Sequence, residues 1–287
     1  MSCQNSHNAK FTFVHVNTKF RSNYYNTSST DFNYQFPNSY SNVTSLKLDS
    51  ICIPNTWYLF SSKKKNNVFF IETNDSCHGI ELHQIIIPDG NYSVEQVEVF
   101  LNKTYFYLSG NNNALSNIKF SIHENSLKSI FSVVSGTSSS FTFNLKFAHN
   151  EIKNICFSAG WILGFRYGEY SDITSYVMSE GLYDGGGDRY IYFCLDDFNH
   201  SSLNPHEVCF EKYSINESVL AKIYLKDGKF AINIDDVSTG NNIVKTRRFA
   251  GPIDLGKIKV KLLDQYGDVI DLNNMDFSFS LQLCIAN

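Results

Sequence analysis

The chain has 287 residues, and its 24 Lys and Arg against 28 Asp and Glu give a net charge of −4. This mild acidity argues against nucleic-acid binding, because displacing the counterions of a phosphate backbone requires several clustered cations. Hydrophobic residues make up 43% of the sequence, which is enough apolar surface for a folded core. Charged residues make up only 18% of the sequence and aromatic residues make up 15%, so charged side chains are scarce and aromatic side chains are abundant.

Targeting and membrane segments are not predicted. No apolar run approaches the roughly 18 residues that a membrane-spanning helix needs. The first ten residues, MSCQNSHNAK, lack the apolar stretch of a signal peptide. The seven cysteines are scattered and form no C-x-x-C pair, so we expect free thiols in a reducing compartment.

Short segments in which apolar and polar residues alternate recur along the chain, and they predict strands. Phe11, Phe13 and His15 share one face of the first strand, and Leu46 and Leu48 lie on one face of the next. The further predicted strands cover residues 68–71, 80–87, 118–122, 130–134, 141–147, 190–195, 220–225, 229–234, 258–263 and 277–285. This number of short strands indicates a sandwich or barrel of antiparallel sheets.

Helical patterns are rare. Ser93 followed by Gln96 predicts a capping box, after which Val97 and Leu101 share one helical face. A shorter helix is predicted over residues 150–159, and residues 168–188 are predicted to form a loop. We find no linker and no internal repeat, and therefore expect one domain.

Two kinds of local motif in the sequence are typical of anion-binding sites: a P-loop-like run and short basic runs. The run from Gly251 to Lys257 matches the first seven positions of a P-loop, but Ile258 stands where magnesium binding requires Ser or Thr. We interpret that run as a turn entering a strand. The basic runs 63–65 and 245–248 are interpreted as solvated loops.

One cluster of possible metal ligands stands out, at Cys194, His200, His206 and Cys209. Zinc accepts these residue types, but structural zinc sites normally place their cysteines in close pairs, which is not the case here. We therefore predict no metal site and interpret Cys194 as a small core or interface residue. No nucleophile elbow and no local catalytic Cys or Ser signature occurs. A catalytic triad is a spatial arrangement, so these residues leave enzymatic activity unsupported and do not exclude it.

The C-terminal stretch PIDLGKIKVKLLDQYGDVIDLNNMDFSFSLQL, residues 252–283, resembles the closing strands of penton and minor capsid proteins. Such proteins occur in eukaryotic large DNA viruses, virophages and polinton-like viruses. Three upstream pieces agree in order: VTSLKLDSICIPNTWY at 43–58, IIIPDGNYSVEQV at 85–97 and WILGF at 161–165. The resemblance implies an all-β fold over residues 1–287, a single jelly-roll sandwich of antiparallel strands with one or two short helices and elaborated loops. A loop elaboration or small insertion is expected at residues 171–245.

The same resemblance implies a structural virion protein located in the capsid and assembled in the host cytoplasm or nucleus. It also implies a protein with no enzymatic activity, no cofactor and no small-molecule substrate. The expected role is the penton, a homopentamer that closes the vertices of an icosahedral shell and contacts the major capsid protein. Two alternatives stay open: another minor capsid protein beneath or between the major capsomers, or a lectin-like sandwich that binds glycans. An enzyme that uses the cluster at residues 194–209 is a third hypothesis, and the sequence supports it least.

Overall fold

Antiparallel strands make up most of the regular structure of the chain. The computed structural model describes residues 9–76, 79–148, 154–199, 202–203, 206–210, 214–236 and 245–286. The contacts divide the chain into two compact units. We call Met1–Trp57 with Asp188–Asn287 the terminal unit and Tyr58–Gly187 the inserted unit. The expectation of one domain over 1–287, elaborated at 171–245, stays a prediction.

The terminal unit is built from eight of the described strands, all paired antiparallel. Numbered in chain order over both units, these strands are β1 (Ala9–Asn17), β2 (Asp31–Pro54), β10 (Tyr190–Asp196), β11 (Ser202–Leu203), β12 (Val219–Tyr224), β13 (Ile232–Asp235), β14 (Thr246–Leu263) and β15 (Ser278–Ala286). Their hydrogen-bonded order is β1-β15-β2-β14-β10-β12, with β11 paired to β14 and β13 paired to β2.

This strand order folds over into two facing layers. β10 and β15 are separated by β2 and β14 along the hydrogen-bonded order, so a flat sheet would hold them about 14 Å apart. The rings of Phe193 in β10 and Phe279 in β15 nevertheless lie 5.1 Å apart. Register shifts in the β2–β14 pairing, between Arg248 and Lys257, mark where these two long strands bend. The apolar faces of both layers therefore meet in one core.

The basic run at residues 245–248 corrects a sequence prediction. It was interpreted as a solvated loop, but Lys245 and Arg247 are buried. Arg247 pairs with Asp197 at 2.9 Å, and Lys245 pairs with Asp235 at 2.6 Å. The reason is strand periodicity, since Arg247 lies on the same face of β14 as buried Phe249. Both cations therefore belong to the interior of the terminal unit.

The inserted unit contains two sheets that pack around a core rich in phenylalanine. The strands are β3 (Val68–Asp75), β4 (Gly79–Ile86), β5 (Ile118–Ile122), β6 (Ser129–Val133), β7 (Thr142–Lys146), β8 (Glu169–Ile173) and β9 (Tyr176–Met178). One sheet has the order β4-β3-β7-β8 and the other the order β5-β6-β9. The rings of Phe69 in β3 and Phe131 in β6 lie 6.0 Å apart, so the two sheets face each other.

Two α-helices occur in the described residues, and both belong to the inserted unit: α1 (Val94–Thr104) and α2 (Ala159–Ile162). The capping box is confirmed, because Ser93 Oγ accepts from the Gln96 amide and the Gln96 side chain accepts from the Ser93 amide. The second helix was placed too early: it begins after Ser158, whose side chain caps the Trp161 amide. Part of the predicted span, 150–153, lies outside the described residues.

Further predictions in the loops are partly wrong. Residues 168–188 were predicted to be a loop, but β8 and β9 lie within them. The P-loop-like run from Gly251 to Lys257 lies inside β14 and is not a turn. Asn273 and Asn274 both have left-handed backbone, with φ of 54° and 61°, a conformation that asparagine tolerates in turns. Neither described helix has the length and apolar composition of a membrane span.

Candidate functional site

An exposed aromatic edge runs along β1. Strand periodicity places Val14 and Val16 in the core and turns Phe11, Phe13 and His15 outward. Phe11 is 49% exposed and Phe13 is 50% exposed. Within the described part of the chain β1 pairs with β15 alone, so it is an edge strand. The aromatic face that the sequence predicted is therefore a surface and not a core.

The loop after β1 is held by Arg21 and presents further rings. The Arg21 guanidinium donates to the carbonyl oxygens of Thr18 and Thr27 and to Asp276, the last at 2.7 Å. It also lies over the ring of Tyr24 at 4.1 Å from the ring centre. With its backbone fixed in this way, the loop exposes 80% of Phe20 and 96% of Tyr25. Pre-ordered aromatic side chains of this kind are typical anchors of protein interfaces.

A second apolar edge is formed by β13. Asn233 and Asp235 of this strand face inward and are buried, whereas Ile232 and Ile234 face outward and are 59% and 57% exposed. Phe230, just before the strand, is 67% exposed. The described pairing of β13 is with β2 alone. The terminal unit thus has a second exposed edge, and aliphatic side chains dominate it.

The sheet surface between these two edges is concave and lined by small polar groups. Asn17, Ser278, Cys52 and Ile234 lie side by side across β1, β15, β2 and β13. A cavity of about 550 Å³ opens above them, with Phe20 and Asp236 also in its lining. On its floor, His15 Nδ1 lies 2.7 Å from Ser280 Oγ. Its polar groups can form hydrogen bonds, and its apolar rims can pack against a partner.

The four candidate metal ligands do not come together among the described residues. Cys194 is buried in β10, where burial, followed by the charge of Glu217, raises the pKa of its thiol to about 12. Cys209 is exposed, and His206 lies half-buried in the segment 206–210. His200 lies outside the described residues. No three His, Cys, Asp or Glu side chains of the described part form a group that could hold a metal ion.

The surroundings of Cys194 are those of a small core residue, as its position in a predicted strand suggests. It packs with Tyr192, Val219 and Leu263 in a small cluster on the outer side of β10. Burial raises the pKa of this thiol and so disfavours the thiolate, which is the reactive form of cysteine. These contacts agree with its interpretation as a small core residue.

In the part of the chain that the structure describes, exposed phenylalanine is confined to the terminal unit. The exposed phenylalanines of the described residues are Phe11, Phe13, Phe20, Phe198 and Phe230. The inserted unit has an exposed apolar edge too, on β4, but Ile80, Leu82 and Ile86 form it. The alternation of residues in the sequence identified the face of β1 that carries Phe11 and Phe13. It gave no signal that β13 is an exposed edge, because Ile232 and Ile234 alternate with polar residues as in any half-buried strand.

Comparison with known proteins shows a likeness to a solved structure. No family model matches the chain, and no curated protein matches it. Among solved structures it is similar to the crystal structure of selenomethionine-labelled mavirus penton protein, with a TM-score of 0.52 and 11% sequence identity. The match covers 96% of this chain and 99% of the penton chain. The two proteins share a fold. The predicted antiparallel jelly-roll sandwich is thereby confirmed.

Proposed function

We propose that this chain is a structural capsid protein without enzymatic activity: the penton subunit, five copies of which close a vertex of an icosahedral shell. The observation that supports this role most is the shared fold with mavirus penton protein over nearly the full length of both chains. The partners of the chain are then four further copies of itself and the surrounding major capsid protein, and its location is the virion.

The surface chemistry of the terminal unit supports an assembly role. Phe20 and Tyr25 are 80% and 96% exposed, although a soluble monomer gains nothing from large rings in water. Aromatic side chains are enriched in interface cores, where charged side chains are depleted because their desolvation is unfavourable. The composition of this chain, with 18% charged and 15% aromatic residues, follows the same preference for aromatic over charged side chains.

Native mass spectrometry of the purified full-length chain tests the proposal. We expect a species with five times the 32.7 kDa mass of the chain, and we expect the chain among the proteins of purified particles. A strictly monomeric protein that is absent from particles would contradict the capsid role. A chain that is present in particles but forms no five-copy species would contradict the penton role and favour another minor capsid position.

A further inference from the structure

The side chain of Arg21 is the centre of a hydrogen-bonded cluster just after β1. All five N–H groups of its guanidinium donate. Nε donates to Thr27 Oγ1 at 3.1 Å, Nη1 donates to the Thr18 carbonyl at 2.9 Å and to Asp276 Oδ1 at 2.7 Å, and Nη2 donates to the carbonyls of Tyr24 at 3.2 Å and Thr27 at 3.0 Å. The side chain is 7% exposed. Only the planar fork of arginine can make this set of contacts at once.

The same cluster extends the pairing of β1 with β15 beyond the last residue pair of the two strands. The Thr18 amide donates to the Phe277 carbonyl at 2.9 Å, and the Phe277 amide donates to Thr18 Oγ1 at 2.9 Å. Thr18 Oγ1 in turn donates to Asp276 Oδ1 at 3.0 Å. Arg21 therefore binds both residues that fix the end of β1 against the start of β15.

Apart from this cluster, β1 is held weakly. Among the described residues it pairs with β15 alone, and it contributes Val14 and Val16 to the buried core. The neighbouring β15 is paired on both sides and buries Phe279, Leu281 and Leu283. Segments with few buried apolar contacts and one ladder open locally before the rest of a sheet unfolds.

The chain after residue 27 is fixed to the terminal unit again. Thr30 is fully buried, its Oγ1 donates to the Ile270 carbonyl at 2.6 Å, and its carbonyl accepts from the Leu262 amide at 3.0 Å. Ser29 Oγ donates to the Met275 carbonyl at 2.8 Å. A segment that opened over residues 9–27 would therefore stay tethered at a defined point, and β2 would keep its place in the sheet.

We propose that residues 9–27 form a strap that opens as one unit, and that Arg21 is the residue that holds this strap closed. The closed strap places the exposed rings of Phe13, Phe20 and Tyr25 at the edge of the sheet, so Arg21 controls whether this aromatic surface is displayed. Opening of the strap leaves the edge of β15 without its partner strand. This inference goes beyond the proposed capsid role and does not depend on it.

Hydrogen exchange of the variant R21M tests the proposal, with the full-length chain diluted until native mass spectrometry shows the single-copy mass. The amides of residues 9–17 and 18–27 should exchange about tenfold faster or more than in wild type, because hydrogen bonds to a charged group are stronger than neutral ones. The amides of residues 258–263, in the core of the terminal unit, should keep their wild-type rates. The control K19M removes a cation from the same loop, where the Lys19 side chain is exposed and makes none of these contacts, and should exchange like wild type.

The variant R21K separates the shape of the side chain from its charge. Lysine keeps the positive charge beside Asp276 but cannot reach the three carbonyls and Thr27 Oγ1 together. We expect R21K to open the strap nearly as much as R21M. Wild-type exchange in R21K would contradict the role of the guanidinium.

Two results with R21M would overturn the proposal. Unchanged exchange over residues 9–17 would show that Arg21 does not hold β1. Equal acceleration over residues 9–17 and 258–263 would show that Arg21 stabilises the whole unit and that no separate strap exists.

The wild-type chain provides a measurement that does not depend on the folding of a variant. In low concentrations of denaturant, the amides of residues 9–17 should exchange through a local opening, at a lower free energy than those of residues 258–263. If both segments exchanged only through the same global unfolding, the strap would not be a separate unit.

Discussion

The two units differ in how they use phenylalanine. In the inserted unit, Phe131 is fully buried and its ring contacts those of Phe69, Phe106, Phe120 and Phe165. No phenylalanine of this unit is exposed among the described residues. The terminal unit buries some phenylalanines too, but five of its described phenylalanines are exposed, and it buries ion pairs beside its core. The inserted unit therefore uses its phenylalanines for its own stability, whereas the terminal unit leaves part of them at the surface.

Buried charge shows the same contrast. The Arg247–Asp197 pair of the terminal unit is almost completely buried, with side-chain exposures of 0% and 1%. In the inserted unit, the Glu72–Lys146 pair lies nearer the surface, with exposures of 28% and 24%. Removing one partner lowers the stability of the folded state far more in the buried pair than in the exposed pair, because the remaining buried charge cannot be solvated by water.

The largest effect is expected for R247M in the terminal unit. It leaves Asp197 as a buried charge without its cation, which should lower the free energy of unfolding by about 3–5 kcal/mol in chemical denaturation. The double variant R247M/D197L should recover most of that loss. As a control, K259M breaks the exposed pair with Asp31 and should cost less than about 1 kcal/mol. Equal losses in R247M and K259M would contradict the contrast in buried charge.

A loss of similar size is expected for F131A in the inserted unit. Removing a fully buried ring leaves a cavity among four other rings, with an expected cost of about 3–5 kcal/mol in the free energy of unfolding. The matched control F13A removes a half-exposed ring from β1 and should change the stability of the monomer by no more than about 0.5 kcal/mol. If F13A destabilised the isolated monomer as much as F131A, Phe13 would be a core residue and not an interface residue.

A smaller effect is expected for G160A in α2. An added Cβ would lie 2.4 Å from Cγ of Phe147, so this ring would have to move within the aromatic core. Overpacking of this kind typically costs about 1–3 kcal/mol, measurable as a lower midpoint in thermal unfolding. The control G228A has no heavy atom within 4 Å of its added Cβ and should not lower the midpoint. A neutral G160A would show that the inserted core is loosely packed.

The smallest effect is expected for E72Q. Hydrogen bonds from Lys146 and then Asn144 lower the pKa of Glu72 below its usual value of 4.5. A lowered pKa stabilises the folded state above the usual pKa, and this contribution is lost as the pH falls through the lowered value. Because both side chains are partly exposed, the contribution should be below about 1 kcal/mol. Unfolding free energies measured across this pH range should fall less steeply in E72Q than in wild type, and an identical slope would contradict the assignment.

Local sequence signals predicted those features that depend on neighbouring residues. The Ser93–Gln96 capping box and the alternation of β1 both follow from residues within a few positions of each other. The sequence did not predict which face of β1 lies against the core, because both faces carry apolar residues. The valines are buried and the larger phenylalanines are not.

Long-range partners explain the remaining differences. Arg247 was expected in a solvated loop because its partner Asp197 is 50 residues away and gives no local signal. The β13 edge was missed for the same reason, since its position opposite β1 depends on pairings through β2 and β15. The candidate surface is therefore a product of sheet topology, which periodicity alone does not define.

A cryo-EM map of intact particles at side-chain resolution would locate the chain in the shell. We expect five copies of this chain around each fivefold vertex, with the aromatic side chains of the terminal unit buried between copies. A map that places the chain only between or beneath other capsomers, or particles that lack the chain, would contradict the penton assignment.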